Sequence, residues 1–174
     1  MGVARGLIAV AAVSAVVFIL AGPVLAAERF AARLRGYEEV PSISTNGQGV
    51  FVGTLNDAGT ELQFTLFYFD IQGAVTQAHI HVAQPGVNGG IVLFFCTNLA
   101  PPAGVPAPPA CPTGGGVNLL SGTLTAANVV AQTAQGIAAS EFGEVVRAMR
   151  AGFAYANVHS DLFPGGEVRG QITQ

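Results

Sequence analysis

Lysine and tryptophan are both missing from this chain, and the seven basic residues are all arginine, set against ten acidic ones. Charge is scarce overall, with a formal balance of -3 and no basic run anywhere. That excludes an electrostatic footprint for nucleic acid or for an anionic membrane surface. No glycine-rich phosphate-cradling motif is present. No nucleophile–base–acid set stands out either. Ser160 follows His159 directly, and neighbours along a strand face opposite ways, so they cannot work as a pair. Histidine is limited to three residues and cysteine to two.

Long apolar runs are also missing, with one exception. Met1 to Arg5 is a short basic start, and Leu7 to Leu20 is apolar apart from Ser14. Gly22-Pro23 breaks the run, and Val24-Leu25-Ala26 offers a signal-peptidase site. Residues 1–26 therefore read as a secretory signal cleaved after Ala26 or Ala27, with an uncleaved anchor as the alternative. No cysteine follows the site, so nothing supports a lipid anchor there. Residues 27–174 then form one exported domain, periplasmic or extracellular, with no membrane span left after cleavage. In an oxidising compartment Cys96 and Cys111 have only each other to pair with. A disulfide between them closes a proline-rich loop, 96–116, and contributes roughly 3 kcal/mol on the chain-entropy model. A metal or redox pair would usually sit two residues apart.

What is present in quantity is glycine, proline and short alternating segments. Alternation, together with short apolar runs bounded by turns, predicts strands at 29–36, 49–55, 61–71, 74–83, 91–96, 117–124, 152–159 and 167–173. Asn56-Asp57-Ala58-Gly59 and Phe163-Pro164-Gly165-Gly166 are turn clusters. Thr125–Gln135 has alanine-rich helical composition with Thr125 as its cap. Ser140 is the expected cap of a second helix ending at Gly152, with Phe142, Val145, Val146 and Met149 on one stripe. The fold class is all-β, an antiparallel Greek-key-like sandwich or barrel with a helical insertion at about 126–150.

Alternation also places chemistry. His79 and His81 share one face of their strand with Gln77, while Ala78, Ile80 and Val82 take the other. Asn157 and His159 share a face of a later strand, and Glu167, Arg169 and Gln171 one of the last. If the three strands are neighbours, His79, His81 and His159 form one metal site for copper or zinc. Asp161 or Glu167 would be a fourth ligand or a support for a ring N–H. The plainer alternatives are a solvated polar face and a Glu167–Arg169 ion pair across strands. Glu38 and Glu39 read as loop carboxylates near Pro41.

Several motifs in order resemble the chordin (CHRD) domain family. They are Leu34-x-Gly36-x-Glu38-Glu39-Val40-Pro41, Ala78-His79-Ile80-His81, Asn88-Gly89, Gly122-x-Leu124-Thr125, Gly152-x-Ala154-Tyr155-x-Asn157-Val158-His159 and Pro164-Gly165-Gly166-Glu167-x-Arg169-Gly170-Gln171-Ile172. The resemblance implies an exported β domain. In animals such domains repeat in an antagonist of a secreted growth factor. No cysteine-rich module accompanies this one, so that activity is not carried over. A weaker likeness is to copper/zinc superoxide dismutase, a Greek-key β-sandwich with a His-x-His strand and a later strand-end histidine. The fourth copper-ligand histidine and the zinc loop have no counterpart here. The expectation is a non-enzymatic binding module with a histidine metal site, its partner an exported protein or small ligand. The alternatives are a dismutase-like copper or zinc protein and a structural envelope or matrix domain.

Overall fold

The computed structural model describes residues 1–2, 27–113 and 116–174. The secretory-signal reading of residues 1–26 falls on a segment of which 3–26 lie outside the described residues. Among the described residues no helix is long and apolar enough to cross a membrane.

Among the described residues, eight strands form one antiparallel sheet: β1 (Glu28–Arg35), β2 (Gln48–Leu55), β3 (Glu61–Phe69), β4 (Val75–Val82), β5 (Gly90–Thr97), β6 (Asn118–Thr125), β7 (Ala154–Ser160) and β8 (Val168–Gln171). Their hydrogen-bonded order is β5-β4-β7-β8-β1-β2-β3-β6. The sheet curls until its two ends approach. The ring of Phe95 on β5 stands 4.7 Å from Phe64 on β3 and 5.3 Å from Phe51 on β2. The result is a nearly closed barrel, and the all-β expectation holds. Its interior is built by alternation: Phe30, Ala32 and Leu34 from β1, Leu62, Phe64, Leu66 and Tyr68 from β3, Ala78 and Ile80 from β4 are all buried. Turn chemistry sets the β2–β3 register. The Asn56 side-chain oxygen accepts the N–H groups of Thr60 and Glu61, and Gly59 takes φ +70.

The helical insertion is shorter than the composition predicts. Only α1 (Phe142–Arg150) is an α-helix, and its stripe of Phe142, Val145, Val146 and Met149 is buried as expected. Ser140 does not cap it. Its φ of +66 is outside the extended region that a cap requires, and Glu141 flanks the helix instead, accepting the N–H of Ala138. Residues 126–137 form two 3-10 turns and a small bridge, Gln132 to Ile137. The cause is tertiary. The Val130 N–H donates to Val92, the Gln132 amide to Ile91 and the Gln135 amide to Val82. These bonds satisfy carbonyls on β5 and at the end of β4, which a regular helix could not reach. At the far end of β5, Cys96 and Cys111 are disulfide-bonded with their Cα atoms 5.0 Å apart. Thr97 N–H donates to Pro109, and the Tyr68 hydroxyl to Pro112, so the returning part of the proline loop, around Cys111, is pinned to the barrel.

Candidate metal centre

β4 and β7 are hydrogen-bonded neighbours, with Gln77 opposite His159, His79 opposite Asn157 and His81 opposite Tyr155. Because Ala78 and Ile80 fill the interior, the histidines stand on the outer face of the barrel. Ring centroids are 4.8 Å apart for His79 and His159, 5.4 Å for His79 and His81, and 6.2 Å for His81 and His159. One ring nitrogen from each lies within 4.8 Å of the other two. The structure thus brings together the three histidines that the sequence separates by eighty residues.

A solvated polar face is not what forms. His79 is fully buried, His81 is 7% exposed and His159 8%. The turns after β4 and β7 fold back over the outer face, and each delivers a backbone carbonyl. His81 Nδ1 lies 2.9 Å from the Gly89 oxygen, and His159 Nδ1 lies 2.9 Å from the Pro164 oxygen. His79 Nε2 meets the Gln77 side-chain oxygen at 3.1 Å, and the Gln77 amide is itself directed to Thr97. Oxygens of this kind only accept, so each of those ring nitrogens carries the proton. The opposite nitrogens, His79 Nδ1, His81 Nε2 and His159 Nε2, are therefore bare. All three are buried without a partner. Burial holds all three imidazoles below their ordinary range, His81 to about 4 and His79 further still, where the neighbouring imidazoles add to the effect. They are neutral at pH 7, the form that ligates metal.

Two more buried orphan atoms complete the set among the described residues: Asn157 Oδ1 and Glu39 Oε1. Glu39 is 5% exposed. Burial raises its carboxyl to about 7, opposed by the charge of Arg169 and the nearby Asn157 amide. Reading the sequence for periodicity misses Glu39, because residues 36–47 follow none. The available signal was its place in the Glu38-Glu39-Val40-Pro41 motif.

Arg169 is almost fully buried and lies 3.4 Å from the Tyr155 ring centre, while His81 stacks on Tyr155 at 4.6 Å with the planes 3° apart. Two planar groups this close need opposite faces of the ring, so Arg169, Tyr155 and His81 stand in a column. The guanidinium donates to Asn88 Oδ1 and the Val87 carbonyl, and the Asn88 amide donates to Val40. Arg169 thus holds the turn that carries Gly89.

Asp161 and Glu167 lie outside the histidine group. Glu167 Oε1 accepts from the Thr45 hydroxyl (2.8 Å) and Gln72 N–H (2.7 Å), and Oε2 from the Ser160 hydroxyl (2.5 Å). Both of its oxygens are turned to these three donors, and it makes no bond to a histidine or to Arg169. It ties two loops to the end of β7. Asp161, just beyond that end, accepts the Ala74 N–H.

These features define a class: a barrel-like β domain whose outer face holds a loop-covered histidine cluster. The CHRD domain model matches residues 30–172, and the chain belongs to the CHRD domain family. No curated protein and no solved structure matches it.

Proposed function

We propose that this CHRD-domain protein is exported and binds one copper or zinc ion through His79, His81 and His159, serving as a metal-dependent binding module. The observation that carries the reading is the set of three bare, buried ring nitrogens, each fixed by an acceptor on the opposite nitrogen of its ring. That is the support pattern of metal-bound histidine. An empty polar cluster of this kind is costly, at about 1–3 kcal/mol for each unmet group. Bonds of about 2.0–2.1 Å put two ligand nitrogens about 3.3–3.4 Å apart at tetrahedral angles and at most about 4.2 Å, so the rings, whose ligand atoms lie within 4.8 Å of one another, draw together on binding. Imidazole suits copper and zinc alike. The Cys96–Cys111 disulfide supports an oxidising compartment.

The test is elemental analysis of the purified protein, then copper and zinc titration of wild type and of His79→Ala, His81→Ala and His159→Ala. One tight equivalent in wild type, lost in each variant, is the expected result. Equal weak uptake by all four ends the reading. A second reading is a dismutase-like redox site, because three ligands leave a coordination position open. A superoxide assay on copper-loaded protein separates the two.

A further inference from the structure

Arg169 is among the largest side chains that the fold buries whole. Taking a cation out of water is costly unless a counter-charge is bonded to it. None is. Among the described residues the ion pairs are Glu144–Arg147 and Glu28–Arg150. The guanidinium instead goes to two places, the Tyr155 ring and the turn between β4 and β5. Both lead to one histidine. Tyr155 is directly across from His81 in the β4–β7 register, and their rings are parallel to within 3°. The turn carries Gly89, whose carbonyl faces His81 Nδ1. Gly89 N–H donates to the Tyr155 hydroxyl at 3.3 Å, so His81, Gly89 and Tyr155 form a closed ring of contacts. Arg169 meets that ring twice: on the face of Tyr155 away from His81, and at Val87 and Asn88 just before Gly89.

The other two histidines are set locally. Gln77 holds His79 from the same strand and is itself tied to Thr97 on β5. Pro164 holds His159 from a turn closed by Ser160 and Phe163. No bond in either set reaches Arg169. We infer that Arg169 is a positioning residue of the metal centre, holding His81 alone in its ligating plane and tautomer by backing the Tyr155 stack and fixing the turn that presents the Gly89 carbonyl. Lysine cannot replace it, because the role needs a flat cation on the ring together with two directed donors. The consequence for metal affinity rests on the metal reading, and the effect on His81 does not.

Imidazole nitrogen shifts in full-length, metal-free protein report the tautomer of each histidine, and zinc titration then gives the affinity. Two variants are compared with wild type. Arg169→Lys keeps the charge and loses the planar fork. Asn88→Ala is an exposed change that removes one guanidinium contact and the bond from Asn88 to Val40. In Arg169→Lys, His81 is expected to become a mixture of tautomers while His79 and His159 keep theirs, and zinc affinity to fall about 10–100-fold. Asn88→Ala should move His81 the same way by a smaller amount, so the test stands even if Arg169→Lys does not fold. An unmoved His81 in Asn88→Ala, or all three histidines changing together in either variant, overturns the inference. Wild type that takes up no zinc, with His81 alone responding to the variants, ends the metal reading and leaves the positioning of His81 standing. Equal zinc affinity in all three proteins with His81 unmoved does the reverse.

Discussion

Acidifying the metal-free protein from pH 7 to pH 5 should destabilise it, and the amount can be worked from four buried groups. His79, His81 and His159 have folded values below their ordinary 6.5. A base whose folded value is depressed stays neutral in the native state while the unfolded chain takes up protons, so stability is lost as pH falls through 6.5. For His79 and His81 the loss between pH 7 and 5 is about 1.9 kcal/mol each, and His159 adds to it in the same direction. Glu39 works in the opposite sense. Its folded value near 7 exceeds the ordinary 4.5, so its contribution is full below 4.5 and is lost as pH rises through 7. Over the same interval it returns about 2 kcal/mol. The net is a loss of at least about 2 kcal/mol, against at least about 4 kcal/mol for Glu39→Gln, which lacks the offset. Glu28, lowered by its bond to Arg150, titrates below this window and does not disturb it. Urea unfolding at pH 7, 6 and 5 in chelator measures both proteins. Wild type as stable at pH 5 as at pH 7, or a Glu39→Gln variant with a shallower pH slope than wild type, refutes the burial argument.

Three further outcomes are expected. Cys96→Ala combined with Cys111→Ala should cost about 3 kcal/mol in urea unfolding, with β5 still held by β4; an unchanged midpoint would show the proline loop to be ordered without its link. Gly166→Ala should cost at least about 1–3 kcal/mol from φ +126 and the contact with Glu39, and adding Glu39→Ala should recover only the contact part, so full recovery in a double-mutant cycle would rule out backbone strain. Arg169→Met removes two charge-assisted donors from the 84–89 turn and should cost about 1.5–3 kcal/mol for each bond lost, with faster hydrogen exchange at Gly89 and Gly90; unchanged exchange there would mean the turn is held by other bonds.

How much of this was legible in the sequence depends on the kind of signal each part carries. Strands β1, β2 and β3 follow from period two, because each has one face against the interior and alternation records that directly, whereas β5 shows in the sequence as a short apolar run. The shared face of His79 and His81 is the same information. That β7 lies beside β4 is not, since pairing between distant strands leaves no local trace. The 126–137 segment shows the opposite failure. Its alanines favour a helix, but the open edge of β5 needs donors, and Val130 and Gln132 supply them. Burial of the histidines was the least legible feature. A strand pattern with polar residues facing out predicts solvent on that face, and it takes two turns folding back to remove the solvent. Those turns are Gly- and Pro-rich, which marks them as connections and says nothing of where they lie. Their work is specific all the same. A turn that merely covered His81 and His159 would leave each ring free to bear its proton on either nitrogen. By presenting Gly89 and Pro164 carbonyls to Nδ1, they exclude water and choose the tautomer in one step, leaving Nε2 of both rings bare and buried.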